Sequence, residues 1–133
     1  MNWKIILQLS NFGLLMAYAT VYYIPSTIEP LFWLVIFIIC AITIAKKCTG
    51  KYFLNGFMVS IFNCVWITAA HVLLYKTYIA NHPEMLAMLE GDSPLKGHPR
   101  LMMAITGPVI GIISGLVLGL FSLIASKIFR KPN

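Results

Sequence analysis

Polar side chains recur inside two otherwise apolar segments of this sequence, and their chemistry could serve a bound ligand. They follow one another at helical spacing, which places them on one face of each segment. The residues of these two faces are Gln8, Asn11, Tyr18, Ser60, Asn63, Thr68 and His71. Because a polar side chain in hydrocarbon is costly without a partner, we expect both faces to point inward, toward each other.

Two interpretations of these faces stay open. In the first, the amides of Asn11 and Asn63 hydrogen-bond between helices. In the second, the faces enclose a small polar cavity for a small molecule or a lipid headgroup, with His71 at its mouth. An ionisable residue inside a membrane can relay protons or bind a metal. Since no acid accompanies His71 in an apolar segment, the pattern favours a histidine that is satisfied within the bundle.

Soft metal ligands surround the longest polar stretch of the chain. They are His82, Met85, Met88, His98, Met102 and Met103. Thioether and imidazole groups suit Cu(I), but no Met-x-x-Met or His-x-His repeat among these residues is regular enough to fix the geometry of a site. The three cysteines form no Cys-x-x-Cys pair and support neither a zinc site nor a disulfide framework. The sequence therefore predicts no metal site and no cofactor.

Small residues form a stripe along the last apolar segment. Gly107, Gly111, Gly115 and Gly119 recur at every fourth position, and Ser122 extends the row. Such a row lets another helix backbone approach closely, and close packing drives helix association in lipid. The stripe is predicted to be a helix-packing interface, either within the bundle or between copies of the chain. A pore is disfavoured because no charged ring accompanies it.

Several catalytic patterns are missing from the sequence. Between their flanking lysines, the apolar segments contain no Asp, Glu, Lys or Arg. That argues against proton-coupled exporters, which need a carboxylate within the membrane. The sequence also contains no Gly-rich phosphate loop, no paired zinc histidines and no Gly-x-Ser-x-Gly nucleophile motif. A non-enzymatic protein is therefore predicted.

The composition indicates a protein whose solvent is partly lipid. Of 133 residues, 59% are hydrophobic and only 11% are charged, and the mean hydropathy is +0.84. Too few polar side chains remain to cover a water-soluble domain. The net charge of +6 does not indicate nucleic acid, because the basic residues stand at the ends of apolar runs rather than on one solvated face.

Four apolar segments are long enough for transmembrane helices, and together they predict a single all-α domain over residues 1–133. Their approximate ranges are 5–24, 31–47, 52–75 and 101–126. The second is marginal in length for a hydrocarbon core of about 30 Å. The first also resembles a signal peptide ending in a small-x-small site, but its internal polar residues favour a retained helix. Residues 76–100 are expected to be an extracytoplasmic loop with a short interfacial helix at about 83–90.

Orientation follows from the unequal distribution of lysine and arginine between the two sides. One side carries seven of them: Lys4, Lys46, Lys47, Lys51, Lys127, Arg130 and Lys131. The other side carries only Lys76, Lys96 and Arg100. The positive-inside rule therefore predicts that both termini are cytoplasmic. All four carboxylates of the chain would then lie outside.

The second half of the chain resembles a family of small four-helix bacterial membrane proteins of unknown function, mainly over residues 51–131. The stretches that carry the resemblance are YFLNGF at 52–57, GIISGL at 111–116 and SLIASK at 122–127, together with the long loop between the last two helices. The resemblance implies a four-helix fold and an address in the bacterial inner membrane. It implies no catalytic residues.

Two functions from different classes fit these observations. The first is a structural or interaction role through helix packing, as a homo-oligomer or as a partner of a larger membrane complex. The alternative is a module that binds or transports a small molecule or a lipid in a polar cavity within the bundle. In both, the partners are the lipid bilayer and other membrane components rather than nucleic acid.

Overall fold

The computed structural model of this chain describes residues 1–92 and 94–129. These residues form six helices and no strand: α1 Trp3–Tyr22, α2 Glu29–Lys47, α3 Tyr52–Leu73, α4 Tyr75–Asn81, α5 Pro83–Leu89 and α6 Pro99–Phe129. Four of them, α1, α2, α3 and α6, are long and apolar enough to cross a membrane. The prediction of an all-helical chain with four candidate spans is confirmed. Ser93 and residues 130–133, and with them Arg130 and Lys131 of the charge count, lie outside the described residues.

The helix ends differ from the predicted ones by a few residues. α2 begins at Glu29 rather than residue 31, because Pro30 fits the first helical turn, where its missing N–H needs no partner. Glu29 also accepts a hydrogen bond of 3.1 Å from the indole of Trp33, one turn later. The extra residues lengthen the one segment whose length was marginal. α6 is longer than predicted and carries Pro108 in its interior.

The polar stretch after α3 contains two short helices instead of one. The expected interfacial helix is α5, at Pro83–Leu89. The sequence analysis did not predict α4, which begins after a change of direction at Leu74. α4 ends at Asn81, and the next residue, His82, leaves the helical conformation before Pro83, as a residue before proline prefers to do. These breaks fold α4 and α5 back toward the ends of α1 and α3.

The central element of the bundle is α3. It packs along α6 and along α1, whereas α2 packs chiefly on α6. The core between the four long helices contains the fully buried side chains of Ile6, Cys40, Ile44, Val59 and Leu118. We call the end that carries the α2–α3 turn the turn end, and the end that carries α4 and α5 the loop end.

Candidate functional sites

The glycine stripe of α6 lies against α3 of the same chain. A Cβ atom added at Gly115 would lie 2.8 Å from Cδ2 of Phe57, and one at Gly111 would lie 2.7 Å from Sγ of Cys64. Gly119 faces Phe53 in the same way, and Gly107 faces Thr68. Side chains of α3 therefore occupy the space that the missing side chains leave.

A glycine of α3 makes an even closer approach to α6. A Cβ atom at Gly56 would lie 2.7 Å from the carbonyl oxygen of Leu118 and would also meet the hydroxyl of Ser122. Ser122 is fully buried and donates a hydrogen bond of 2.8 Å to that same carbonyl. Ser122 thus lies at the helix interface together with the stripe. No packing role was predicted for Gly56, although this glycine lies at the beginning of the face of α3 that contacts α6.

Polar side chains of α3 also bind α6. The hydroxyls of Ser60 and Ser114 are 2.8 Å apart, and the thiol of Cys64 donates a 2.7 Å bond to the carbonyl oxygen of Gly107. That thiol also lies 3.6 Å from the hydroxyl of Thr68. Ser60 and Thr68, predicted to line a cavity toward α1, therefore belong to the contact with α6.

Asn63 joins α3 to α1. Its Oδ1 accepts a 3.1 Å hydrogen bond from the backbone N–H of Gly13. Because Gly13 has no side chain, the backbone of Asn63 can approach closely: a Cβ atom at Gly13 would lie 2.5 Å from Cα of Asn63. The Nδ2 of Asn63 is buried and makes no hydrogen bond within the described residues. Asn63 therefore fills the α1–α3 interface at this point.

Three residues assigned to the polar face of α1 do not face α3. Gln8, Asn11 and Tyr18 are exposed on the outside of the bundle, so the expectation that they point inward is corrected. The close approach at Gly13 turns the face of α1 that carries Gly13 and Thr20 toward α3. By helical spacing, the three exposed residues lie away from that face. Tyr18 instead packs against Tyr22, with ring centroids 4.7 Å apart and the ring planes tilted by 40°.

At the loop end, three aromatic rings form a stack that we call the histidine–tyrosine stack, made of His71, Tyr78 and His82. The rings of His71 and Tyr78 are 4.0 Å apart, and those of Tyr78 and His82 are 4.4 Å apart. His71 is 3.1 Å from the hydroxyl of Thr20 in α1. His71 is therefore satisfied inside the bundle, as the pattern favoured, by a partner that the sequence analysis had not named.

Side chains from α4 and its end also hold the last carbonyl groups of α1. The Nδ2 of Asn81 donates a 2.7 Å bond to the carbonyl oxygen of Val21. The two ring nitrogens of His82 lie 3.0 Å from the carbonyl oxygen of Tyr78 and 2.9 Å from that of Ile24. The carbonyl of Val21 belongs to the last turn of α1, where helix carbonyls have no partner within the helix. The carbonyl of Ile24 belongs to the segment that follows α1, so Asn81 and His82 together fasten this end of the chain to α4.

Acidic groups lie near this stack. Burial raises the pKa of the Tyr78 phenol to about 12, and the charges of Glu29 and Glu84 act in the same direction. Glu84 is exposed, and a bond to its own backbone N–H together with a 2.8 Å bond from the hydroxyl of Ser26 lowers its pKa. The Ser26 contact ties α5 to the α1–α2 turn. The loop end is therefore held together by short polar contacts.

Two cavities lie elsewhere in the described part of the molecule. One, at the turn end, has a volume of about 440 Å³ and walls that include Asn2, Lys47, Thr49, Gly50, Lys51 and Asn55. The other is an apolar groove of about 470 Å³ between α3 and α6, beside Pro108. Neither includes Asn63 or His71. Among the described residues, no group of three or more His, Cys, Asp and Glu side chains is placed to hold a metal ion.

Comparison with known proteins assigns no function to these sites. No family model matches the chain, and neither a curated protein nor a solved structure matches it. The resemblance to small bacterial membrane proteins therefore stays an expectation from the sequence.

Proposed function

We propose that the chain is a non-enzymatic, multi-pass membrane protein that acts through contacts with other proteins in the bilayer. Large apolar side chains are exposed on all four long helices, for example Leu15, Val35, Val65 and Ile113. Polar side chains such as Ser60 and Ser122 lie inside, between the helices. Such an outer surface suits lipid, because lipid has no penalty for contact with apolar side chains.

The proposed orientation has both termini in the cytoplasm. The turn end carries Lys46, Lys47 and Lys51, and the loop end carries the acidic groups Glu29 and Glu84. This distribution supports the positive-inside prediction. The bacterial inner membrane is the address that the family resemblance implies.

Cysteine accessibility tests the orientation. In a variant with Cys40→Ala, Cys48→Ala and Cys64→Ser, a single cysteine replaces Thr49 in the turn or Ser93 in the loop. We expect a membrane-impermeant maleimide to label the Ser93→Cys protein in intact cells, and the Thr49→Cys protein only after permeabilisation. Labelling of Thr49→Cys from outside intact cells contradicts the proposed orientation.

The interaction role is carried by the uncovered face of α2. This helix packs chiefly on α6, and its other side exposes Leu31, Leu34, Val35 and Ile38 at spacings of three and four residues. The glycine stripe is occupied by α3, so a contact through the stripe with a second copy would require the bundle to open. A partner contact on α2 requires no such change. A variant such as Gly115→Leu therefore tests folding of the bundle rather than association.

Disulfide cross-linking in membranes tests this placement. Ile38→Cys on α2 and Ile113→Cys on α6 are both outward positions, with 45% and 59% of the side chain exposed, and each is placed in the cysteine-free variant. If copies of the chain associate through α2, oxidation yields a covalent dimer with Ile38→Cys and little with Ile113→Cys. Equal dimer yields at both positions indicate random collision and contradict the α2 contact. For a different membrane protein as partner, a photo-cross-linker at position 38 captures it and one at position 113 does not.

A further inference from the structure

The turn-end cavity lies where three segments of the chain meet. Its walls come from the start of α1, the end of α2 and the turn that leads into α3. The volume of about 440 Å³ is within the usual range for small-molecule sites. It lies at the end of the apolar helices, the depth at which lipid headgroups are found. The cavity is separate from the glycine stripe and from the histidine–tyrosine stack.

One buried amide fixes the shape of this cavity. Asn55 is 1% exposed, and its Oδ1 accepts a 3.0 Å hydrogen bond from the backbone N–H of Asn2. Its Nδ2 donates to the carbonyl oxygens of Gly50 and Lys51, at 3.1 Å and 3.0 Å. These bonds tie the start of α1 to the turn and hold Lys51 in a left-handed conformation, with a φ of 50°. The cavity walls are therefore held by side-chain bonds.

The charge of the cavity is positive. Lys47 and Lys51 are both exposed in its walls, and no carboxylate lines it. The four side-chain carboxylates of the chain are Glu29, Glu84, Glu90 and Asp92, all in segments of the loop end. α3 begins beside the cavity with neither a side-chain cap nor an acidic residue in its first turn, which adds the positive end of a helix dipole. An anion is thus the ligand that this field favours.

We propose that the turn-end cavity binds the phosphate group of an anionic lipid headgroup. Two lysines supply the charge, and the hydroxyl of Thr49 is a further hydrogen-bond donor in the wall. Soluble phosphate esters share this chemistry, but the position at the helix ends presents the cavity to a headgroup whose chains remain in the bilayer. Basic pockets between helices on the cytoplasmic side are suited to such headgroups. The inference rests on the proposed membrane insertion.

Native mass spectrometry of the full chain in nonionic detergent tests the site, with phosphatidylglycerol and phosphatidylcholine as probes. We expect one phosphatidylglycerol to bind more tightly than phosphatidylcholine. The double variant Lys47→Gln/Lys51→Gln should bind phosphatidylglycerol about tenfold more weakly or worse, because each lysine near an anionic surface contributes to binding. Both lysines are exposed, so folding should be unaffected.

A charge-matched variant provides the control. Lys4→Gln/Lys46→Gln removes the same charge from the same end, but neither residue lines the cavity, and Nζ of Lys46 lies 5.9 Å from the ring centroid of Phe129. Equal losses of affinity in the two double variants overturn the site, as does the absence of a preference for phosphatidylglycerol. Soluble glycerol phosphate that binds as tightly as the lipid overturns the lipid assignment. Extraction of the chain from membranes by alkaline carbonate would instead contradict the proposed membrane insertion. Failure of the headgroup site and failure of the insertion are therefore distinguishable.

Discussion

Gly56→Ala should destabilise the bundle by about 3 kcal/mol, although alanine is intrinsically the better helix former by about 1 kcal/mol. The added methyl group would lie 2.7 Å from the carbonyl oxygen of Leu118. That oxygen belongs to the backbone of α6, so it cannot rotate away, and the clash is relieved only by moving α3 and α6 apart. Lost close contacts are not replaced by a hydrophobic gain in lipid or detergent. The measurement is unfolding by titration of sodium dodecyl sulfate into micelles, followed by tryptophan fluorescence.

Two other glycine variants control this prediction. Gly50→Ala lies in the α2–α3 turn with no atom within 4 Å of the added methyl and should leave stability nearly unchanged. A methyl group at Gly111 would lie 2.7 Å from both Sγ and Cβ of Cys64; the thiol can rotate away but Cβ moves only with the backbone of α3, so Gly111→Ala should also destabilise the bundle. A Gly56→Ala protein that is as stable as Gly50→Ala would show that the two backbones are not in close contact.

The sequence could predict that α6 has a packing face, but not which helix it contacts. A row of glycines at every fourth residue predicts that another helix can approach closely. It does not indicate whether that helix belongs to the same chain or to a second copy. The choice depends on the facing surface, where Phe53 and Phe57 fill the space. Large aromatic side chains in α3 do not by themselves indicate contact with a glycine row, because they suit contact with lipid equally well. Gly56 was missed for a related reason, since a single glycine in an apolar segment carries little information.

The polar residues show a similar limit. Their spacing indicated which residues of α3 share a face, and Asn63 and Ser60 are indeed buried. The rotation of α1 about its axis could not be predicted in this way. The polarity of Gln8 and Asn11 alone would turn them inward, away from lipid, and they point outward. The close contact between Gly13 and Asn63 sets that rotation, and it joins residues fifty positions apart. Gly13 and Thr20 of α1 instead make hydrogen-bond contacts with α3.

The turn-end cavity and the loop end depend on side-chain bonds that no local pattern encodes. Asn55 resembled an ordinary residue at a helix start, yet it joins α1 to the α2–α3 turn. His82 was considered only among soft side chains for which no metal site was predicted, and it is 1% exposed with both ring nitrogens against carbonyl oxygens. The role of Asn55 follows from the return of the chain to the start of α1, and that of His82 from its return to the other end of α1. Neither role can be predicted without the tertiary structure.

His82→Ala should lower the free energy of unfolding by about 3 kcal/mol and should loosen the loop end most. The substitution leaves one of the two carbonyl oxygens that face the ring nitrogens, that of Tyr78 or that of Ile24, without its donor, and it removes a ring that stacks on Tyr78. A buried carbonyl without a partner costs about 1–3 kcal/mol, and the cavity left by the ring adds to that cost. Backbone hydrogen exchange resolved by peptide should show faster exchange in α4 and α5 than in α3.

His98→Ala is the matched control, because His98 is exposed in the same polar stretch, and its loss should be nearly neutral.

A neutral imidazole at His82 donates one hydrogen bond, whereas the doubly protonated ring donates to both carbonyls. His82→Gln retains an amide donor that can reach a carbonyl, so it should recover part of the stability but not the ring stack. Equal stability of the His82→Ala and His98→Ala proteins would mean that the end of α1 does not depend on His82. Full recovery in His82→Gln would instead assign the effect to the hydrogen bonds alone, with no contribution from stacking on Tyr78.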